Sequence, residues 1–400
     1  MDNNHLLSDT INSISESATL KMAQMARDFK AKGHDVISLS LGEPDFDTPI
    51  HIKDAAKEAL DNGYTKYTPV AGLLEFRKAI SAKFKRENNL EYELDQIVVS
   101  NGAKQSVANV CTILLNKGDE AILLAPYWVS YFEIVKMTGA TPLMVSANID
   151  QDYKVSASQL EAAITDKTRL IIFSSPCNPT GSVYSKEELQ ALATVINKHP
   201  RVIVLSDEIY EHINFVGDHV SIGTFPEVKN QTITLNGMSK GFAMTGWRLG
   251  YMGAPQWIAA ACIKLQGQFT SGATSFGQMA AAHALNSSLQ PTYEMRDAFK
   301  SRKELILSLL SEIPHIKLND PDGAFYVFPD ISALFGKTDG TYTIKDADSF
   351  AEIMMKKCYV GVVAGSAFGA PNCFRISYAA SEDQLKEAIR RMSEALKDFK

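Results

Sequence analysis

The chain has 400 residues, 45% of them hydrophobic and 22% charged, with a formal net charge of −6. That length exceeds a single ordinary domain and predicts two, each with ample core. The acidic balance argues against a nucleic-acid partner, which would call for a basic face or stripe. Cys111, Cys177, Cys262, Cys358 and Cys373 are odd in number, widely spaced and free of any C-x-x-C. They fit reduced thiols rather than a disulfide framework or zinc site, so no metal is expected.

The start, Met1-Asp2-Asn3-Asn4-His5, is polar and has no apolar core of signal-peptide length. No apolar run approaches the roughly 18 residues a membrane helix needs. A cytoplasmic protein with no membrane partner is expected.

From residue 95 to 255 short apolar runs alternate with amphipathic segments. Gln96–Ser100 reads as a strand, after which Asn101-Gly102 turns into a helix from Ala103 to Leu115. Free N–H groups and the positive end of a helix dipole make such a turn an anion seat; a plain strand-to-helix turn is the alternative. Glu120–Leu124 is a second strand, followed by Ala125-Pro126-Tyr127 and a helical pattern from Trp128. An aromatic at a strand end can stack on a flat heteroaromatic ring, or simply belong to the core. Thr141–Val145 and Leu170–Phe173 continue the strands. After the latter, Pro176 and Pro179 bracket Asn178, whose amide can donate to a phenolate; turn chemistry explains the prolines equally well.

Ser185-Lys186-Glu187-Glu188 is a capping box that opens a helix towards His199. Val202–Leu205 then leads into Ser206-Asp207-Glu208-Ile209-Tyr210. An aspartate emerging from an apolar strand is costly to bury unpaired. A protonated ring nitrogen would compensate it, and Tyr210 can donate to a ring oxygen; helix capping by Asp207 is the competing explanation. Thr232–Leu235 is followed by a Gly/Ser-rich turn containing Lys240 and, eight residues later, Arg248; Leu249–Met252 adds one more strand. Continuous β-branched runs alternating with helices predict an α/β fold, a mostly parallel sheet covered by helices on both faces.

Beyond Asn286-Ser287-Ser288 the texture changes. A charged helix over Thr292–Glu312 precedes shorter strands (Ala324–Phe328, Val360–Val363, Phe374–Tyr378) and a last helix opened by the capping box Ser381-Glu382-Asp383-Gln384. The expected division is a large domain over 48–287 and a smaller α+β domain built from 1–47 with 288–400.

A lysine is a useful nucleophile only when desolvation or a nearby cation keeps its amine neutral, and a Schiff base to an aldehyde is what such an amine forms best. An arginine close by suits a phosphate. In an open α/β sheet ligands bind beyond the carboxyl ends of the strands, which is where Gly102, Trp128, Asn178, Asp207 and Lys240 all fall. An aldehyde trap, a phosphate seat, a ring stack, a carboxylate and phenolate donors suggest one ligand, pyridoxal 5′-phosphate. A competing reading takes Gly237-Met238-Ser239-Lys240-Gly241 as the G-x-S-x-G elbow of a serine hydrolase. It requires a later histidine, and His283 and His315 both sit in helical or linker contexts away from strand ends.

Further motifs complete a pattern: Ser40-Leu41-Gly42-Glu43-Pro44-Asp45-Phe46, Lys66-Tyr67-Thr68-Pro69-Val70-Ala71-Gly72, Pro126-Tyr127-Trp128, Asn178-Pro179-Thr180-Gly181, Met244-Thr245-Gly246-Trp247-Arg248 and Cys373-Phe374-Arg375-Ile376-Ser377-Tyr378. Nearly end to end the chain resembles the fold-type I pyridoxal-phosphate aminotransferases, and is most similar to the bacterial aspartate aminotransferases. The resemblance implies that Lys240 binds the cofactor aldehyde and then shuttles the proton at the substrate Cα, while Asp207 keeps the pyridine nitrogen protonated. It places Asn178 and Tyr210 at the phenolic oxygen, Trp128 on the ring, and Gly102, Ala103 and Arg248 at the phosphate. Relatives often carry a phosphate-contacting serine three residues before the lysine; here Gly237 stands there, so that contact is lost or moved. Tyr67 matches a residue that reaches the neighbouring subunit's phosphate, which implies a homodimer with shared active sites.

The same resemblance assigns the substrate α-carboxylate to Arg375 with backbone from Gly42. A distal carboxylate falls to Lys104, helped by Thr19. A hydrogen bond to a charged group contributes about 1.5–3 kcal/mol, enough to favour aspartate and glutamate over neutral amino acids. The implied reaction moves the amino group of L-aspartate to 2-oxoglutarate, giving oxaloacetate and L-glutamate. Aminotransferases for aromatic amino acids, kynurenine or alanine, and a lyase using the same cofactor, are the alternatives.

Overall fold

The computed structural model describes residues 4–400, so that Met1-Asp2-Asn3 of the polar start lie outside it. Its strands are β1 (Ile37–Ser38), β2 (Ile97–Ser100), β3 (Glu120–Ala125), β4 (Thr141–Ser146), β5 (Thr168–Ser174), β6 (Ile203–Asp207), β7 (Thr232–Gly237), β8 (Gly250–Gly253), β9 (Tyr326–Val327), β10 (Val360–Gly361), β11 (Val363–Ala364) and β12 (Phe374–Ser377). Seven of them form one sheet in the order β2-β8-β7-β6-β5-β3-β4. Strands β2, β6, β7 and β8 are buried along their whole length, as continuous apolar runs covered on both faces must be. Only β4, at the edge, alternates towards solvent, and it carries Pro142 where a missing N–H costs no ladder bond.

All pairings in this sheet are parallel except those of β8, which runs antiparallel to both β2 and β7. The chain between β7 and β8 is a turn holding Lys240 rather than a crossover helix, so it returns the strand in the opposite sense. Three local expectations are corrected. The helix read from Trp128 begins at Ser130, after a turn in which Tyr131 N–H bonds the Trp128 carbonyl. The strand read over Val360–Val363 is split between β10, which pairs with β1, and β11, which pairs with β12. Ser381 does cap the last helix, Glu382–Leu396, by accepting from Gln384 N–H, but of the two expected boxes only that of Ser185 and Glu188 is reciprocal.

A second core lies outside the large sheet. Met22, Ala26, Ile37 and Leu39 from the N-terminal segment pack in one cluster with Phe299, Phe325, Phe350, Phe374 and Ile389. Strands β11, β12 and β9 form a small antiparallel sheet here, beside the β1–β10 pair. This places Arg375, on β12, and Tyr326, on β9, opposite the carboxyl ends of the large sheet. No described helix is long and apolar enough to cross a membrane.

Candidate active site

A cavity of about 380 Å³ opens beyond the carboxyl ends of β2, β3, β5, β6 and β7. Of the residues expected there, Thr19, Gly42, Ala103, Lys104, Trp128, Asn178, Asp207, Tyr210, Lys240, Arg248 and Arg375 line it. Gly102 lies directly behind the lining. Tyr67 does not belong to it: it is 99% exposed, on a turn secured by Thr68, whose hydroxyl bonds the Ala273 carbonyl.

Lys240 sits in the turn that follows β7. Ala243 and Arg248 hold left-handed backbone at φ 50° and 56°, costly for residues other than glycine. The Thr48 hydroxyl, donating to the Ala243 carbonyl at 2.6 Å and accepting from the Trp247 indole at 3.1 Å, helps hold that shape. Lys240 Nζ donates to the Gly42 carbonyl and stands 5.8 Å from the Tyr210 ring. Burial, then the Arg375 and Arg248 guanidinium groups, lower its pKa to about 8 against the opposing pull of Glu43 and Asp207. About a tenth of the amine is therefore neutral at pH 7, orders of magnitude more than for an ordinary lysine.

Asp207 ends β6, and the chain turns without forming a helix, so the capping explanation does not hold. Its Oδ2 accepts from the Tyr131 phenol at 2.6 Å and its Oδ1 from Ile209 N–H at 3.2 Å. Burial raises the carboxyl to about 6 despite both bonds. A carboxylate has room for more donors than these two, and a cationic N–H in the cavity would stabilise its charged form.

Gly102 caps the helix Ala103–Leu114 with φ 83°, and a side chain there would collide with the Arg248 guanidinium. Arg248 Nη1 donates to the Thr245 carbonyl at 2.9 Å. An arginine and a helix N-terminus thus face the same space, a fit for a phosphate. A serine at 237 would be cramped, since its Cβ would meet the Leu249 carbonyl oxygen at 2.9 Å and Ile209 Cδ1 at 3.1 Å. Ser239 lines the cavity instead.

Arg375 is 2% exposed. It donates to Asn178 Oδ1 at 2.8 Å and to the Ser40 carbonyl at 2.5 Å, and lies between the rings of Tyr326 (4.5 Å) and Phe368 (4.9 Å). Its Nε has no partner among the described residues. Lys104 Nζ stands 4.9 Å from the Trp128 ring, and partial burial followed by Arg248 lowers its pKa. Lys104, Lys240, Arg248 and Arg375 thus face one cavity with only Glu43 and Asp207 of opposite sign, an arrangement suited to a ligand set with several negative charges.

Tyr131 and Tyr326 also line the cavity, and no motif in the sequence singles either out. Tyr131 sits three residues after Trp128, edge-on to it at 5.4 Å, so helical spacing offered a signal. Tyr326 arrives from the small sheet, and nothing local to its sequence announces it. Behind the site, Lys83 is wholly buried in contact with Glu211, while Glu208 accepts from Ser206, from Ser221 and from His219. His212 pairs with Glu87. For the elbow reading, His283 lies beside His51 and His315 near Lys317; neither reaches the cavity that holds Ser239.

Residues 34–392 match the family model for class I and II aminotransferases. The chain belongs to that family. Its members depend on pyridoxal 5′-phosphate, and the lysine, buried carboxylate and arginine at a helix N-terminus fit that group. Among relatives, a probable aspartate/prephenate aminotransferase of Rhizobium leguminosarum bv. phaseoli is 47% identical over 390 residues, 96% of this chain and 97% of its own. The aspartate aminotransferase of Bacillus subtilis is 42% identical over 96% of this chain and 98% of its own. The solved aspartate aminotransferase from Rhizobium meliloti superposes with a TM-score of 0.95 at 41% identity, covering 98% of this chain and 99% of that one. That from Thermus thermophilus, with maleate, gives 0.92 at 37% identity with the same coverage.

Proposed function

We propose that this aminotransferase acts on L-aspartate and 2-oxoglutarate, forming oxaloacetate and L-glutamate. The observation that carries the reading is a pair of cations beyond those needed for cofactor and catalysis: Arg375 and Lys104 line the cavity that holds Lys240 and Arg248. Two spare cations match the two carboxylates of a dicarboxylic amino acid, and the Thermus relative was solved with maleate, itself a dicarboxylate. Prephenate, in the name of the Rhizobium leguminosarum relative, also carries two carboxylates and is a second acceptor for the same cations.

When bound, pyridoxal phosphate supplies an electron sink for charge developing at the substrate Cα. Lys240 Nζ, neutral in part at physiological pH, holds the aldehyde and then moves the Cα proton. Asp207 keeps a proton on the ring nitrogen, with Tyr131 orienting the carboxylate. Asn178 and Tyr210 donate at the phenolic oxygen, Trp128 covers the ring, and Gly102, Ala103 and Arg248 receive the phosphate, with Ser239 in place of a serine at 237. Arg375 and the Gly42 backbone orient the α-carboxylate, and Lys104 with Thr19 takes the distal one.

The division into a large domain (48–287) and a small one (1–47 with 288–400) is supported by the shared core of residues 22–39 with the C-terminal part. Tyr67, which buries nothing against its own chain, supports a homodimer in which it completes the partner's phosphate site. Five free, buried cysteines fit a reducing cytoplasm.

The test is Lys104→Ser. Losing one charge-assisted bond should cut kcat/KM for aspartate about 10- to 100-fold and leave alanine nearly unchanged. An unaltered aspartate-to-alanine ratio would contradict the assignment.

A further inference from the structure

Tyr210 shares its hydroxyl with a second phenol. Its Oη lies 2.7 Å from Tyr326 Oη; both side chains are buried and both line the cavity. Two phenols joined by one hydrogen bond comprise one donor and one acceptor, and the choice decides where the acceptor's own proton points. If Tyr210 donated to Tyr326, its proton would be occupied there. If it accepts, its proton is free to point into the cavity.

The surroundings favour Tyr326 as donor. Arg375 Cζ lies 4.5 Å over the Tyr326 ring, and a cation on the π face makes a phenol more acidic. The cation over the Tyr210 ring, Lys240 Nζ, is farther away at 5.8 Å. Burial raises both phenols and Arg375 lowers both, but it is the Tyr326 ring that lies against the guanidinium, while Asp207 pushes Tyr210 higher. The stronger acid donates to the weaker. Tyr326 Oη also occupies the space where a side chain at Gly42 would begin, which fixes it between the Gly42 loop, Tyr210 and Arg375.

Resting on the cofactor reading above, we propose that Tyr326 is a positioning residue that donates to Tyr210 Oη and so aims the Tyr210 proton at the phenolic oxygen of the bound cofactor. It joins that oxygen to Arg375 through two side chains. Donation by Tyr326 polarises the Tyr210 hydroxyl and strengthens its own donation. A hydrogen bond to the charged form of a group favours that form, so the stronger Tyr210 bond lets the cofactor release its proton at lower pH.

The experiment is a pH titration of the visible absorption band of the cofactor-loaded, substrate-free protein, in wild type, Tyr326→Phe, Tyr210→Phe and the double variant. Asp207, Lys240, Arg375, Arg248 and Glu43, the charged groups facing the pair, are present in all four, so their effects cancel in the comparison. Tyr326→Phe should raise the midpoint by about 0.1–0.7 pH unit, a 10–30% weakening of one charge-assisted bond. Tyr210→Phe should raise it further, and the double variant should match Tyr210→Phe alone. Incorporating 3-fluorotyrosine at position 326, a stronger donor that keeps the packing, should lower it. A downward or absent shift in Tyr326→Phe, or additive shifts in the double variant, would overturn the proposal. A wild type with no visible band would overturn the cofactor reading as well, which separates the two failures.

Discussion

Asp207 is held at odds with its surroundings. Burial raises its carboxyl from 3.8 to about 6. Between those values the cofactor-free native state binds a proton that the unfolded chain does not, so stability falls as pH rises through this window and stays low above it. Two units correspond to about 3 kcal/mol at most. Asp207→Asn removes the penalty. Without cofactor it should melt higher than wild type at pH 7.5 and alike near pH 3.5, while binding the cofactor more weakly; calorimetry at both pH values checks this, and equal melting at pH 7.5 would contradict it. Residue-level chemistry was legible wherever a polar side chain interrupts an apolar strand end, as at Asp207 and Asn178. It was illegible for Tyr326, whose hydrogen-bond partner Tyr210 is 116 residues away in sequence.

The segment from Ser206 to His212 serves two sites at once. Asp207 and Tyr210 face the cavity, while Glu208 and Glu211 turn towards Lys83, His219 and the serines behind it. Burial pushes Glu211 up, but Lys83, His212 and His219 outweigh it and hold the carboxyl at about 2. Its pKa is depressed, so the stability it contributes is present above about pH 4.5 and lost as pH falls towards 2. Glu211→Ala leaves the buried Lys83 ammonium with only Asn88 Oδ1 and the more distant Glu87 carboxylate, at 3.7 Å, and should cost about 3 kcal/mol. Urea unfolding at pH 7 should show that loss, and Lys83→Met combined with Glu211→Ala should recover part of it. The difference from wild type should shrink by pH 3. None of this pairing is visible in sequence, because Lys83 reads there as one cation among several on a charged helix. The strands themselves were legible from unbroken apolar runs. The reversal of β8 was not, since direction depends on what connects two runs rather than on their composition.

At the scale of the whole molecule, parts remote in sequence converge on one cavity: the helix that carries Thr19, the Gly42 loop, five strand ends of the large sheet, and the small sheet with Tyr326 and Arg375. Periodicity foretold the large sheet, but only the ordered series of motifs linked it to Arg375 and Thr19. In the proposed homodimer the exposed Tyr67 completes the site of a second copy. Sedimentation should give a dimer, and Tyr67→Phe should weaken cofactor binding about tenfold, the loss of one bond to a charged group, without altering that dimer. A monomer, or unchanged affinity, would remove the shared site.

The most direct measurement is a single-turnover mixing of the cofactor-loaded protein with aspartate, glutamate or alanine, followed at the visible band. Loss of the band with aspartate and glutamate, much slower with alanine, and recovery on adding 2-oxoglutarate are the predicted results. A band that aspartate leaves unchanged, or that alanine discharges equally fast, would contradict the account.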